Sequence, residues 1–183
     1  MVGMQTLDLV RDSLGRVHHL IPAILDGLSG ADVLWRPDPE ANSIGWLVWH
    51  LTRIEDDHLA HLGGIEQAWT GDGWYQRFGL PYIKQAHGFR MTPVEVGAFN
   101  VTDTGLLSGY AAATWEQTRA VLGSLPEERL DEVVDKRYTP PVTVGVRLVS
   151  VMVETAQHIG QAGYLRGLRE RSLGINSGWA GTA

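Results

Sequence analysis

Four stretches of this sequence repeat apolar residues at the three- and four-residue spacing of an α-helix, and each is long enough to bury one face against the others. Over 4–28 the stripe is Leu7, Val10, Leu14, Val17, Ile21, Ile24 and Leu28, and Ser29-Gly30 ends it. Pro22 falls inside this pattern and predicts a kink or a break, because proline offers no N–H to the helix. His18 and His19 are neighbours on it, about 100° apart, so at most one faces the core. Over 44–63 the stripe is Ile44, Leu47, Val48, Leu51, Ile54, His58 and Leu62, with Asn42-Ser43 as N-cap and Gly63-Gly64 as stop. Leu106, Leu107, Tyr110, Ala113, Thr114, Gln117 and Val121 mark a third helix over 104–123. Val144, Leu148, Val151, Thr155, His158, Ala162 and Leu165 mark a fourth over 143–171, with Arg166, Arg169 and Arg171 near its end, where the helix dipole favours positive charge. Four such helices predict an all-α fold, a four-helix bundle.

The segments between them are loops of different kinds. Trp35-Arg36-Pro37-Asp38-Pro39 is a turn-rich connection. Residues 65–104 are dense in glycine and aromatics, among them Trp69, Trp74, Tyr75, Phe78, Tyr82 and Phe89. That composition predicts an ordered excursion packed against the body, with one short helix over 92–99, and long ordered loops often wall a site. Val133 to Tyr138 and Pro140 to Val144 read as two short extended pieces. Residues 1–172 are expected to form one domain, and the Gly- and Ser-rich tail 173–183 is expected to be flexible.

Composition narrows the function. The 183 residues carry 15 Lys and Arg against 21 Asp and Glu, a net charge of −6, which argues against nucleic acid as the partner. There is no cysteine, so disulfides, thiolate ligands and a protein thiol nucleophile are excluded. No apolar run approaches the ~20 residues of a membrane span, and the first residues lack the basic and apolar regions of a signal peptide. A soluble, cytoplasmic protein is expected.

A few polar residues sit where the helical pattern calls for apolar ones. His50 lies between Leu47 and Ile54, three and four residues away, and so shares the core-facing sector. Glu154 and His158, one turn apart, can converge on one point. Two imidazoles and a carboxylate are a common ligand set for zinc or a similar ion, and three protein ligands leave positions open for water or substrate. A lone Glu-x-x-x-His is a weak signal, and His50 alone also reads as a hydrogen-bonded core histidine. Asp57 and His58 read either as groups supporting such a site or as the solvated end of the second helix. His87 reads as a loop histidine within reach of a site, or as a surface residue. No phosphate-binding glycine loop and no nucleophile elbow is present.

Asn42-Ser43-Ile44-Gly45-Trp46-Leu47-Val48-Trp49-His50-Leu51 resembles the second helix of the DinB/YfiT-like superfamily. Gly145 through Glu154, and Gln157-His158-Ile159-Gly160-Gln161-Ala162-Gly163-Tyr164-Leu165-Arg166, resemble its last helix, and the Trp35-Arg36-Pro37 loop also fits. The resemblance spans Leu7 to Leu168 and points to an actinobacterial DinB-like branch related to mycothiol-dependent maleylpyruvate isomerase and thiol S-transferases. It implies a bundle of up-down-down-up connectivity, often a homodimer. It implies a divalent metal, zinc or nickel, on His50, Glu154 and His158. Many members carry histidine where this chain has Glu154, whereas the maleylpyruvate isomerase branch uses His, Glu and His.

The function this resemblance implies is a thiol S-transferase or isomerase whose nucleophile is a low-molecular-weight thiol such as mycothiol. A thiol of pKa near 8.5 is mostly protonated at neutral pH, and coordination to a metal deprotonates it. Arg166, Arg147 and His87 are candidates to hold the small-molecule substrate or the thiol; both arginines also read as helix-end charges or salt-bridge partners. Metal-assisted hydrolysis and a metal- or ligand-binding bundle without turnover are the alternatives.

Overall fold

The computed structural model describes residues 5–175; of the tail expected to be flexible, 173–183, residues 176–183 lie outside them. Four long helices form the body: α1 (Thr6–Leu25), α3 (Ile44–Gly63), α7 (Thr104–Ser124) and α8 (Val144–Ser172). Short helices α2 (Gly30–Val33), α4 (Ala68–Gly71), α5 (Trp74–Phe78) and α6 (Pro93–Gly97) lie in the connections. A 3-10 turn (Glu127–Asp131) and a two-stranded antiparallel ribbon, β1 (Val133–Asp135) with β2 (Val142–Thr143), lead into α8.

The direction of each long helix follows from its neighbours. At one end of the bundle Leu7, Val10 and Leu14 from the start of α1 meet Leu59 and Leu62 from the end of α3. Val121 and Leu122 from the end of α7, and Val144 and Leu148 from the start of α8, complete that layer. At the other end Ile21, Ile24 and Leu25 meet Ile44, Leu47 and Val48, with Leu107 and Tyr110 from α7 and Ile159, Ala162 and Leu165 from α8. Helices α1 and α8 therefore run one way and α3 and α7 the other, the expected up-down-down-up order. Both α1 and α3 pack against α7 and α8, which places α1 diagonally across from α3.

The helix limits have local causes. Ser43 Oγ accepts the N–H of Trp46 at 3.2 Å and starts α3. Gly64, at φ 64°, takes the left-handed conformation that closes it, and its N–H meets His61 O at 3.2 Å. Helix α1 carries Pro22 within its last turn and ends three residues later, so the expected break falls after the proline. Between α3 and α7, which run alike, residues 64–103 must carry the chain back along the bundle. This crossover is ordered: Trp69, Trp74, Phe78 and Phe99 are buried against Trp49 and Tyr110. Besides α6 it contains α4 and α5, whose four and five residues are too few to show a period in sequence. No helix among the described residues is long and apolar enough to cross a membrane.

Candidate metal centre

Helix α3 presents His50 less than two turns from its Ser43 cap, and α8 presents Glu154 and His158 on one facing stripe. The structure brings the three together. His50 Nε2 and His158 Nε2 each lie 3.2 Å from the same oxygen, Glu154 Oε1. One ligand atom from each residue lies within 4.8 Å of the others. Donor atoms around a tetrahedral zinc, with bonds of 2.0–2.1 Å, sit about 3.3 Å apart, and the two separations from Glu154 Oε1 match that spacing. The His50 side chain is 4% exposed and that of Glu154 32%, so the cluster is closed on the α3 side and open beside α8. Trp46 stacks on His50 at 4.7 Å between ring centroids and presents its ring to the edge of His158.

The hydrogen bonds on the far sides of the rings decide what the cluster can bind. His50 Nδ1 donates to the backbone carbonyl of His87, which can only accept. His158 Nδ1 donates to Gln161 Oε1 at 2.8 Å. With Nδ1 carrying the proton, each neutral ring turns a bare Nε2 lone pair toward an oxygen that is itself an acceptor. Three lone pairs converge, and only cationic charge, as a metal ion or as added protons, satisfies them. Burial pushes the His50 pKa below that of free imidazole, against the opposing effect of the His87 carbonyl, and so favours the neutral, ligating form.

The other expected residues fall in three places. His58 Nε2 accepts from Arg147 Nη1 at 3.2 Å, and its Nδ1 is 3.4 Å from Asp57 Oδ2. Burial first, and then the Arg147 charge, push its pKa down to about 4. Asp57, His58, Arg147, Asp135 and Arg137 line a cleft of about 430 Å³. It is lined from the same two helices, α3 and α8, but Arg147 is two turns of α8, about 10 Å, from Glu154. His87 reaches the cluster through its carbonyl, while burial lowers its ring's pKa. Arg166 lies elsewhere: it binds Glu170 at 2.9 Å and the carbonyls of Ala23 and Ile24 at 2.6 and 3.0 Å, fastening α8 to the end of α1.

Sequence reasoning passed over three charged residues of α3. Arg53, Glu55 and Asp56 are at most 1% exposed. Glu55 binds His18 Nε2 at 2.9 Å and Thr118 Oγ1 at 2.7 Å in the middle of the bundle. Asp56 accepts the N–H groups of Ala68 and Trp69 at 2.9 and 2.8 Å and the Tyr110 hydroxyl at 2.7 Å. Their signal was present: on a helix with apolar residues on most of its circumference, charges at 53, 55 and 56 cannot all reach water. Gln161, an exposed residue three positions after His158, carried no such signal, nor did the carbonyl of His87, because a backbone group leaves no mark in sequence.

The profile of the DinB superfamily matches residues 13–162. The chain belongs to the DinB superfamily. A solved structure described as the conserved protein of locus from Enterococcus faecalis is 34% identical, with a TM-score of 0.83 over 90% of this chain and 96% of that one. No curated protein matches the sequence. The all-α DinB-like bundle and the His/Glu/His cluster therefore stand together: a superfamily fold carrying a group of side chains able to hold a metal ion.

Proposed function

We propose that this DinB superfamily protein is a metal-dependent enzyme that uses a low-molecular-weight thiol of the mycothiol type as nucleophile, in S-transfer or isomerisation of a small electrophile. The observation that carries this reading is the convergence of His50 Nε2, His158 Nε2 and Glu154 Oε1 with both Nδ1 protons committed elsewhere. In this reading the three residues hold zinc or nickel. A divalent ion bound there would supply positive charge that makes a coordinated thiol an anion at neutral pH.

The chain's own residues supply the rest. Having no cysteine, it takes its nucleophile from solution. Glu154, a third exposed, leaves the centre open for a small molecule to enter. Trp46 covers His50 and keeps water from that side. In this reading Arg147, His58 and Asp57, in a cleft lined from the same two helices, hold the polar end of the ligand, with His58 neutral at physiological pH.

The test is metal content by elemental analysis, followed by thiol conjugation. With a chlorinated nitroarene the thiol sulfur bonds to the ring carbon, chloride leaves with the bonding pair, and the thiol proton passes to buffer. About one ion per chain and thiol-dependent product that chelator abolishes would support the reading. Retained metal without thiol-dependent product would refute the thiol chemistry, and chelator-sensitive ester cleavage without thiol would replace it by hydrolysis.

A further inference from the structure

We infer that the crossover loop is part of the metal centre: the His87–Gly88 peptide is a clamp that fixes the tautomer and position of His50, with Arg53 as the residue that holds the clamp in place. The inference rests on the reading of His50, Glu154 and His158 as metal ligands.

Three buried donors hold three nearby carbonyls of one loop. Trp69 Nε1 donates to Lys84 O at 2.9 Å, Arg53 Nε to Ala86 O at 3.1 Å, and His50 Nδ1 to His87 O. Arg53 and His50 are one turn apart on α3 and take consecutive carbonyls, so the loop is registered against the helix that carries the ligand. Arg53 is itself fixed, by Gln67 Oε1 at 3.0 Å, by the Tyr110 hydroxyl at 3.3 Å, and by the face of Trp69 at 5.0 Å from its centroid. The next residue makes the approach possible. Gly88 is buried at φ +96°, and a Cβ there would run into His50 Nδ1, into His50 Cγ at 2.9 Å and into Trp46 Cζ2 at 3.1 Å. Only glycine lets the backbone lie this close to the imidazole.

A ligating histidine needs its second nitrogen held, because that bond sets which nitrogen is bare and where the ring points. Loss of such a partner typically costs 10–100-fold in metal affinity. The clamp is thus a positioning device: it acts on the ligand and touches no substrate.

The experiment compares metal affinity, by competition with a chromophoric chelator, in wild type, Gly88→Ala and Gly79→Ala. Gly79 also has a positive φ, +55°, in the same crossover but nothing within 4 Å of its would-be Cβ, so its variant reports a positive-φ substitution in this loop without a contact at the ring. We expect Gly88→Ala to lose at least 10-fold in affinity and Gly79→Ala to stay within threefold. Equal losses in both, or none in either, would overturn the inference. A second measurement needs no variant: nitrogen-15 NMR of metal-free wild type at neutral pH should find His50 Nδ1 protonated, whether or not Nε2 also carries a proton shared with Glu154. The opposite tautomer overturns the clamp even if Gly88→Ala fails to fold. Wild type that binds no metal refutes the ligand reading, while the NMR result still decides whether the clamp exists.

Discussion

Asp56 offers the sharpest test of how the crossover is attached to the bundle. Replacing it with alanine removes the acceptor for the N–H groups of Ala68 and Trp69 and for the Tyr110 hydroxyl, all of them buried. It also takes away the carboxylate 3.6 Å from the buried Arg53 guanidinium. A buried donor left unsatisfied costs about 1–3 kcal/mol, so three would cost about 3–9. The charged form is itself held against a penalty, since burial raises the Asp56 pKa despite its hydrogen bonds. The low end therefore applies, and Asp56→Ala should destabilise by about 3 kcal/mol, a loss of about 6–12 °C in Tm for a chain of this size. Urea unfolding followed by tryptophan fluorescence measures this, because Trp69 sits on the broken contact. The pH dependence adds a second check. With a folded pKa raised above the ordinary 3.8, Asp56 contributes stability that is full below 3.8 and declines as pH rises through the folded value. The advantage of wild type over Asp56→Asn should shrink accordingly. A loss below about 1 kcal/mol for Asp56→Ala would refute the accounting of three orphaned donors.

Three further outcomes are expected. His58, whose pKa falls from 6.5 to about 4 on folding, contributes stability that is present above 6.5 and lost as pH drops toward 4. His58→Gln should flatten the acid side of a stability–pH curve measured by urea titration, and an unchanged curve would contradict the burial and Arg147 charge assigned to it. His158→Ala should lose the bound ion in elemental analysis while keeping wild-type helicity by circular dichroism; full metal occupancy in that variant would remove His158 from the ligand set. Arg166→Ala should cost about 1–3 kcal/mol through the freed carbonyls of Ala23 and Ile24 and leave thiol conjugation unchanged. A selective loss of activity at unchanged stability would give it a substrate role instead.

The bundle was legible because its four helices are long and periodic. The stripe from Ile44 to Leu62, ended by Gly63-Gly64, matches α3, and the end of the fourth pattern falls within a residue of α8. The cluster was legible for the same reason: a histidine between Leu47 and Ile54 has nowhere to point but inward. Spacing on single helices does not say which helices meet, so the pairing of His50 with Glu154, 104 residues apart, came from resemblance and needed the tertiary structure to be seen. Arg147 and Arg166 were alike in sequence, as arginines on one helix, and only their partners separate them. One lines a cleft with Asp57 and His58, and the other binds the end of α1. The short helices α4 and α5 are held from outside, by the Asp56 carboxylate and by aromatic packing on Tyr110, so their cause lies in residues distant along the chain.

The parallel run of α3 and α7 has an evolutionary consequence. A return segment laid along the bundle has two sides with different freedoms. Its inner side, with Trp69, the Ala86 and His87 carbonyls and Gly88, is tied to α3 and tolerates little change. Its outer side, with Ile83, Phe89, Arg90 and Val94, is exposed. Substitutions there can alter what surrounds the His50, Glu154 and His158 cluster without repacking a helix, so this topology separates the surface that can vary from the scaffold that holds the cluster.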